Sequence, residues 1–600
     1  MHIKNNIPLS FFFILILLPN ISLSDNFNKI ITSSGIVSGF VGNNVISWDD
    51  IPYAEPPVGD LRWRAPRKVN NSNNIILPKD NNFCVQEPSG LGGSVGDKFF
   101  SGSEDCLYID IKAPSKANND LLPVMFWIHG GGNTSGLKDV YDFSVMVKNH
   151  NVIVVTINYR LGPFGWFTHP SIQGLQNGLD KTSNFGTLDI IEGLKWVNSN
   201  IELFGGDPNN VTIFGESAGG HNVLSLLVSK EAKGLFHAAI SQSGYTTSHQ
   251  AYNLFMQSKS SPTSKHTSWN IVNKILTDNS LNIRQNDKTN MKIRDVIKSL
   301  TAEDFFKYYA NRASYEDIPL LAADGIVIPN IGLKEALSKD EHLNKVPVII
   351  GSNRDEVKLW LASAKYFVEL NYSFLGSIFG IPKVKIKDKE AFNIFNSYRS
   401  RAWKIRGVDE PLRSLYKAGN RNLYAYRYDW DDHRKFFIAD FRELIGAAHA
   451  TEIPLLTGNN KLVGNYGFLI YPRGPSKRFT SRNMMKFWTN FAKNHTPGIS
   501  TNGIEWKKYN NIDTDTSNYM IIDRRKNLKM HSDNYTFPSL IKDLYDEDAL
   551  TDLEKCVLAF QVLTYVGSDL YDNYIKEYQG QCDRKDSENF IIQNDSFIDY

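Results

Sequence analysis

A serine flanked by glycines is the first residue of this sequence whose setting indicates chemistry. Gly215-Glu216-Ser217-Ala218-Gly219 follows the apolar run Val211-Thr212-Ile213-Phe214 and precedes a stretch of helical character at 221–228. A G-x-S-x-G sequence between a strand and a helix is typical of a nucleophile elbow, whose tight turn lifts the serine oxygen above a sheet. Glycines are needed there because a Cβ would meet the neighbouring backbone. Since such patterns also arise by chance, the prediction that Ser217 is a nucleophile depends on its partners.

A glycine triplet upstream is the candidate for the electrostatic part of the reaction. Leu122-Pro123-Val124-Met125-Phe126-Trp127-Ile128 is typical of a buried strand and runs directly into His129-Gly130-Gly131-Gly132. Such a loop offers backbone amides to an oxyanion, and the amide of Ala218 would complete the set. A glycine triplet alone is more often a flexible turn, so its place after a buried strand carries the prediction.

An acid and a base should follow Ser217, because hydrolases with this elbow have the chain order Ser, Asp or Glu, His. The apolar run 346–350 predicts a strand, and the loop after it contains Asp355 and Glu356. The pattern does not choose between these two acids, and either could be a solvated surface carboxylate. His449 lies among small residues with little charge nearby, whereas three other downstream histidines compete with it: His433, His495 and His531.

Further motifs show that the chain resembles the type B carboxylesterases, the family that includes the cholinesterases. The resemblance covers about residues 30–535 and implies an α/β-hydrolase fold. That fold is a central, mostly parallel sheet with helices on both faces and helical insertions that form a gorge, which agrees with the alternation of strand and helix patterns. The motifs are Ile51-Pro52-Tyr53-Ala54-Glu55-Pro56-Pro57-Val58-Gly59, Ser103-Glu104-Asp105-Cys106-Leu107-Tyr108-Ile109, Asn158-Tyr159-Arg160-Leu161-Gly162-Pro163-Phe164-Gly165 and Phe204-Gly205-Gly206-Asp207-Pro208.

The resemblance also implies a role for each candidate residue. It makes Ser217 the nucleophile, Glu356 the triad acid and His449 the base, in a reaction that needs no metal and no other cofactor. With an ordinary histidine as base, activity should rise with pH near about 6.5. The other implied assignments are oxyanion donors at Gly131, Gly132 and Ala218, a buried acid at Glu216, a serine supporting the triad acid at Ser243, a salt bridge between Arg62 and Glu104, and a disulfide between Cys84 and Cys106.

Two departures from the family pattern concern the substrate. Asn133 follows the three glycines where the family usually has phenylalanine, and since this position is expected to face the active site, the acyl or leaving-group preference should differ. Cholinesterases also hold a quaternary ammonium against a tryptophan in the first disulfide loop by a cation–π contact. There is no tryptophan between Cys84 and Cys106, so we expect poor recognition of choline esters.

The predicted function is therefore a secreted serine hydrolase that cleaves small-molecule carboxylic esters through an acyl-serine intermediate. One alternative is a catalytically silent adhesion or storage protein on the same fold, although such relatives usually lose the nucleophile or the histidine. A lipase is the other alternative. The oligomeric state is left open.

The composition and the N-terminal segment agree with the prediction of a secreted ester hydrolase. The 600 residues include 66 basic and 64 acidic side chains, which gives no indication of a nucleic-acid partner. Residues 1–24 are predicted to be a signal peptide, with Lys4 before an apolar stretch and small residues before Asp25. The stretch is shorter than the ~20 residues of a membrane span, so we expect no stable span and delivery to the outside or to the lumen of a secretory-pathway vesicle. The catalytic domain should cover 25–540, and 541–600 a helical extension that docks on it or binds a partner.

Cysteines and sequons fit the same route. Cys556 and Cys582 should pair with each other or bridge two chains. Asn133 carries a sequon beside the oxyanion loop and is expected to stay unmodified. Sequons of the mature chain begin at Asn70, Asn133, Asn210, Asn371, Asn494, Asn534 and Asn594.

Overall fold

The computed structural model describes most of the chain between residues 28 and 594. The described ranges are 28–69, 71, 73–89, 99–116, 120–251, 254, 267–281, 287–310, 321–371, 383–436, 439–510 and 517–594. The expected signal peptide, 1–24, and the sequon at Asn70 lie outside them.

A twelve-stranded sheet forms the centre of the described structure, in the order β1-β2-β3-β4-β6-β5-β7-β8-β11-β14-β17-β18. Neighbours from β6 to β17 run parallel, and the outer pairs are antiparallel. Its strands are Asn28–Thr32 (β1), Gly35–Gly42 (β2), Val45–Pro52 (β3), Tyr108–Pro114 (β4), Leu122–Ile128 (β5), Ile153–Ile157 (β6), Gly206–Glu216 (β7), Ala238–Gln242 (β8), Val348–Asn353 (β11), Leu423–Tyr428 (β14), Ser517–Ile522 (β17) and Lys529–Asp533 (β18). Three small two-stranded sheets comprise His249–Gln250 (β9) with Ala322–Ala323 (β10), Val368–Asn371 (β12) with Lys383–Ile386 (β13), and Lys435–Phe436 (β15) with Ala439–Asp440 (β16).

The sheet is buried on both faces, as its continuous apolar strands predict. Side chains alternate between the faces of a strand. In β5, Phe126 and Ile128 enter one hydrophobic core, whereas Met125 and Trp127 enter the core on the other face. The strand begins and ends at the predicted residues.

Helices cover both faces. The first five α-helices are Ser144–His150 (α1), Gly162–Gly165 (α2), Pro170–Gln173 (α3), Phe185–Asn200 (α4) and Ala218–Val228 (α5). The later ones are Ser268–Asp278, Asp287–Ser299, Ala302–Phe306, Leu333–Ala336, Lys358–Leu361, Lys389–Lys404, Glu410–Lys417, Phe441–Leu444, Ile453–Thr457, Gly467–Ile470, Pro475–Asn494, Phe537–Tyr545, Asp552–Thr564, Tyr571–Tyr574 and Arg584–Gln593. A π-helical turn, Ile405–Asp409, joins two of them.

The C-terminal extension packs on the rest of the chain. Its Asp552–Thr564 helix buries Val557 and Leu563 in a core that also contains Val357 and Trp403. From the π-helical turn, Arg406 donates hydrogen bonds to the carbonyl oxygens of residues 562, 563 and 568, at 3.2, 2.6 and 2.9 Å. Carbonyls in the last turn of a helix lack intrahelical partners, and Arg406 supplies donors to them in addition to the Leu570 amide, which donates to residue 563 at 2.8 Å. The domain boundary expected at 540/541 falls inside the Phe537–Tyr545 helix, so the extension continues directly from the preceding structure.

Covalent and ionic links match the sequence. Cys84 is bonded to Cys106 and Cys556 to Cys582, with Cα atoms 4.9 and 5.3 Å apart. The pair implied by the resemblance is therefore formed, and the other two cysteines pair within the chain. The implied salt bridge is present, since the Arg62 guanidinium donates to both carboxylate oxygens of Glu104 at 2.6 Å.

None of the helices in the described residues has the length and apolar character required to traverse a membrane.

Candidate active site

Ser217 occupies a sharp turn between β7 and α5. Its backbone has φ 59° and ψ −124°, a strained conformation for a residue with a side chain. The Ser217 amide donates to the carbonyl of Gln242 at 2.9 Å, and its carbonyl accepts from the amide of His221 at 2.9 Å. The side chain is partly exposed between buried neighbours. The strand–turn–helix geometry predicted for this motif is therefore present.

The flanking glycines are required by close backbone contacts. A Cβ on Gly219 would lie 2.0 Å from the carbonyl oxygen of Ile128. One on Gly215 would lie 2.6 Å from that oxygen and 2.6 Å from the carbonyl carbon of Gly219. Strand β5, strand β7 and helix α5 can approach each other this closely only without those Cβ atoms. The sequence predicted glycine at these two positions for the same reason.

The structure brings Glu356, rather than Asp355, to His449. Glu356 is fully buried, and its Oε2 lies 2.7 Å from Nδ1 of His449. Its Oε1 accepts a hydrogen bond from the backbone amide of Asn353 at 2.7 Å. The carbonyl of Glu356 also accepts from the amide of His449 at 3.1 Å, so backbone and side chain both fix the pair.

Asp355 has a different set of partners. It accepts hydrogen bonds from Arg354 at 2.6 Å, from the side chain of Asn396 at 2.8 Å and from the amide of Ala447 at 2.9 Å. Burial opposes its ionisation, but Arg354 and Lys358 outweigh burial and lower the pKa of Asp355. It is a charged structural residue that holds the loop carrying His449.

The three competing histidines make no hydrogen bond to Glu356 in the described residues. His433 makes a 2.8 Å contact with the carbonyl of Gly446 through Nε2. His495 ends the Pro475–Asn494 helix, and His531 lies on β18. Of the four downstream histidines, His449 is the one bonded to the candidate acid.

Glu216 lies at the other side of the His449 ring. Nε2 of His449 is 3.1 Å from Oε1 of Glu216, but the two are not aligned as a hydrogen bond, and that oxygen has no hydrogen-bond partner in the described part of the chain. Among the hydrogen bonds of the described residues, none joins the Ser217 hydroxyl to His449. Nucleophile–base hydrogen bonds are often long or poorly aligned before substrate binds.

A third buried carboxylate, Glu452, is a site residue that sequence reasoning missed. Its oxygens accept from the side chains of Asn353 at 2.7 Å and Gln242 at 3.1 Å. Glu216, Glu356 and Glu452 are 3%, 0% and 0% exposed. The available signal was an acidic residue among small ones, three positions after His449.

These carboxylates change the expected titration of the base. Burial alone would lower the pKa of His449, but Glu216, Glu356 and Glu452 together raise it to about 9. Burial also raises the pKa of Glu216, while His449 opposes that rise. Nearby anions favour the imidazolium, so this environment moves the expected transition above the value of about 6.5 predicted from the sequence.

The glycine loop lies against the nucleophile. A Cβ on Gly130 would be 3.0 Å from the Cβ of Ser217. Gly131 and Gly132 have φ of 97° and 63°, which glycine adopts without strain. No acceptor in the described part of the chain takes a hydrogen bond from the amides of Gly131, Gly132 or Ala218. Unpaired amides at this position can donate hydrogen bonds to an oxyanion.

Ser243 does not have the partner that the resemblance implied. Its hydroxyl is buried and has no hydrogen-bond partner among the residues that the structure describes, while its amide donates to the carbonyl of Gly351 at 2.7 Å. The oxygens of Glu356 are already engaged by Asn353 and His449. In the described residues this hydroxyl therefore makes no hydrogen bond to Glu356, and support of Glu356 by Ser243 stays a prediction from the resemblance.

Two tryptophans flank His449 and were not found from the sequence. The ring centroids of Trp360 and Trp403 lie 5.1 and 4.9 Å from that of His449. Trp360 is four residues beyond Glu356, whereas Trp403 comes from the Lys389–Lys404 helix. Apolar rings beside the imidazole–carboxylate pair reduce the access of water and strengthen the electrostatic interaction.

Taken together, the parallel sheet, the elbow serine and the buried histidine–carboxylate pair define a serine-type α/β-hydrolase. A sequence model of the carboxylesterase family matches residues 27–381 and 403–537. The chain therefore belongs to the carboxylesterase family and is a carboxylic ester hydrolase.

Individual relatives agree. The chain is 30% identical over 486 residues to a para-nitrobenzyl esterase of Bacillus subtilis (strain 168), covering 80% of this chain and 92% of the relative. It is 30% identical over 483 residues to carboxylesterase 1D of Rattus norvegicus, covering 74% and 80%. A solved PNB esterase structure matches with a TM-score of 0.61 at 27% identity, covering 84% of this chain and 97% of that chain.

The Gly219→Ala variant tests the close packing under the elbow. Because the new Cβ would meet Ile128 oxygen at 2.0 Å, the turn must shift, and we expect ester hydrolysis to fall by a factor of about 10² or more. Gly474→Ala is the matched control, since a Cβ there meets nothing within 4 Å. Wild-type turnover by folded Gly219→Ala protein would contradict the packing argument.

Proposed function

We propose that the protein hydrolyses small carboxylic esters through an acyl intermediate on Ser217, with His449 as base and Glu356 as the acid that orients it. The observation that carries this proposal is the buried 2.7 Å contact between His449 Nδ1 and Glu356, next to a serine on a strained elbow. A carboxylate that is hydrogen-bonded to Nδ1 leaves Nε2 free to exchange protons with the nucleophile and the leaving group.

In the first half-reaction, the Ser217 oxygen attacks the ester carbonyl carbon while Nε2 of His449 accepts the hydroxyl proton. The carbonyl oxygen becomes negative and is bound by the amides of Gly131, Gly132 and Ala218. The carbon–oxygen bond to the alcohol then breaks, and His449 returns the proton to the leaving alkoxide. In the second half, water attacks the acyl carbon while His449 accepts its proton. The bond between the acyl carbon and the Ser217 oxygen then breaks, His449 returns the proton to that oxygen, and the carboxylic acid is released.

Glu216 contributes charge rather than a covalent step. Its Oε1 is 3.1 Å from Nε2, the atom that carries the transferred proton. A carboxylate at this distance stabilises the imidazolium formed in each half-reaction. On substrate binding, Nε2 must align with the Ser217 oxygen instead of Glu216.

The two alternative functions differ in their support. A catalytically silent protein would usually lack the nucleophile or the histidine, and this chain retains both in one site. A lipase uses the same machinery, so the acyl preference has to be measured. Poor hydrolysis of choline esters stays a prediction from the absence of tryptophan between Cys84 and Cys106.

Ser217→Ala tests the covalent step. The variant should lose hydrolysis of a short-chain nitrophenyl ester and lose labelling by an organophosphate, because the nucleophilic oxygen is gone. Mass spectrometry of the labelled peptide locates the adduct. Ser225→Ala, on the same helix, removes only a hydroxyl bonded to the carbonyl of His221 at 2.9 Å and should be labelled normally. Labelling that persists in the Ser217→Ala variant would overturn the assignment.

The pH profile tests the carboxylates around the base. Only neutral His449 can accept the proton, and its raised pKa predicts that kcat/KM rises with pH through a midpoint above 6.5. Burial raises the pKa of Glu216 to about 8. Above that pH Glu216→Gln removes an anion that favours the imidazolium, so the midpoint should move toward acid by about one pH unit. The exposed Glu202→Gln variant should leave it unchanged. An unmoved midpoint in Glu216→Gln would refute the electrostatic role of Glu216.

We also infer that the protein enters the secretory pathway after removal of residues 1–24 and that exposed sequons are glycosylated. Two disulfides support an oxidising compartment. Asn133 should stay unmodified, because its side chain is 2% exposed. N-terminal sequencing of protein expressed in a eukaryotic secretory host should begin at Asp25, and protein retained inside cells with Met1 intact would contradict the inference.

A further inference from the structure

Two buried asparagines connect the glycine loop to the nucleophile helix. Asn133 directly follows Gly132, is 2% exposed and has φ 58°. Asn222 lies five residues after Ser217 on α5 and is 0% exposed. Nδ2 of Asn222 donates a hydrogen bond to Oδ1 of Asn133 at 2.9 Å. The oxygen of Asn133 thus points to α5, which refines the expectation that this residue simply faces the substrate.

Other hydrogen bonds connect the glycine loop to the segment that follows β6. The Tyr159 hydroxyl donates to the carbonyl of His129 at 2.7 Å and lies 3.3 Å from Oδ1 of Asn133. The carbonyl of Asn133 accepts from the amide of Gly162 at 2.7 Å. These bonds hold the loop to the segment after β6, and the asparagine pair is the side-chain hydrogen bond that reaches α5.

We propose that Asn133 and Asn222 are positioning residues that set the spacing between the two halves of the oxyanion hole. This inference rests on the proposed oxyanion role of Gly131, Gly132 and Ala218. The first two amides belong to the loop that Asn133 ends, and the third belongs to the helix that carries Asn222. A bond between the two asparagines therefore links the separate chain segments that must act on one oxygen atom.

The residue types fit this role. Asparagine tolerates the left-handed backbone conformation at position 133 better than most residues with a side chain. The phenylalanine usual at this position in the family offers no acceptor for Asn222. Among the described residues Oδ1 of Asn222 has no hydrogen-bond partner, whereas its Nδ2 donates to Asn133 and the side chain also interacts with Tyr159. A buried hydrogen bond in a site of low dielectric is costly to leave unmade.

Catalysis depends on this spacing. Donors act on an oxyanion when they lie about 2.7–3.1 Å from its position, and a misplacement of about 1 Å can cost on the order of 10² in rate. Loss of the asparagine bond should therefore weaken transition-state binding while affecting ground-state binding of the ester much less.

Asn222→Leu and Asn133→Gly are the test variants. Leucine has a similar size but no donor, and glycine keeps the left-handed backbone while removing the acceptor. We expect kcat to fall about 10- to 100-fold in each, with KM changed less than about 3-fold. Affinity for a trifluoromethyl ketone, which forms an oxyanion on the nucleophile, should fall in parallel with kcat/KM. The kcat of the double variant should be no lower than that of the more impaired single variant, because both substitutions remove the same hydrogen bond.

Asn200→Leu is the matched control, because Asn200 is 3% exposed and bonds to the carbonyl of Trp196 at 2.9 Å, away from the loop. It should lower Tm and leave kcat and ketone affinity unchanged. If Asn222→Leu does not fold, Asn133→Gly gives the same readouts. Wild-type kcat and ketone affinity in a folded variant, or multiplied losses in the double variant, would overturn the positioning role. Failure of the proposed function is distinct, since the wild-type protein would then neither turn over ester nor bind the ketone.

Discussion

The burial of one imidazole among three carboxylates is the constraint on which the rest of the site depends. Buried charges cost free energy unless they are paired and hydrogen-bonded. The ends of two adjacent parallel strands supply this support. Asn353, at the end of β11, binds Glu356 through its amide and Glu452 through its side chain. Gln242, at the end of β8, binds Glu452 through its side chain and the Ser217 amide through its carbonyl. The carboxyl ends of a parallel sheet thus gather Ser217, His449 and the three glutamates, and such ends are the general location of sites in open α/β sheets.

The C-terminal extension takes part in the same arrangement. Its helices share a core with Val357, next to Glu356, and with Trp403, whose ring contacts His449. Trp403 also donates from its indole nitrogen to the carbonyl of Ser243 at 3.3 Å. The π-helical turn after Trp403 places Gly407 where a Cβ would be 2.3 Å from the carbonyl oxygen of Gly244. Packing of the extension therefore reaches the imidazole through Trp403 and through Trp360, which packs on the same core and on the Trp403 ring.

The sequence predicted the features that depend on interactions between residues close together in the chain. The continuous apolar run of β5 gave its bounds, and the flanking glycines predicted the elbow because their contacts are dictated by backbone geometry. The predicted strand at 346–350 is shifted, since β11 spans Val348–Asn353 and includes polar residues whose partners lie on distant segments. Pattern alone left Asp355 and Glu356 equivalent, because the difference comes from Arg354, Asn396 and His449. Glu452, Trp403 and the Asn133–Asn222 bond were not predictable, as each depends on contacts between segments far apart in the chain.

Direct titration of His449 tests the central claim that three buried carboxylates govern the base. The proton on Nδ1, hydrogen-bonded to Glu356, can be followed by NMR as a downfield imidazole resonance and assigned by its absence in His449→Gln. The structure predicts that His449 remains protonated at neutral pH and titrates well above 6.5, near 9. A midpoint at or below 6.5 would show that the carboxylates do not control this imidazole and would contradict the account.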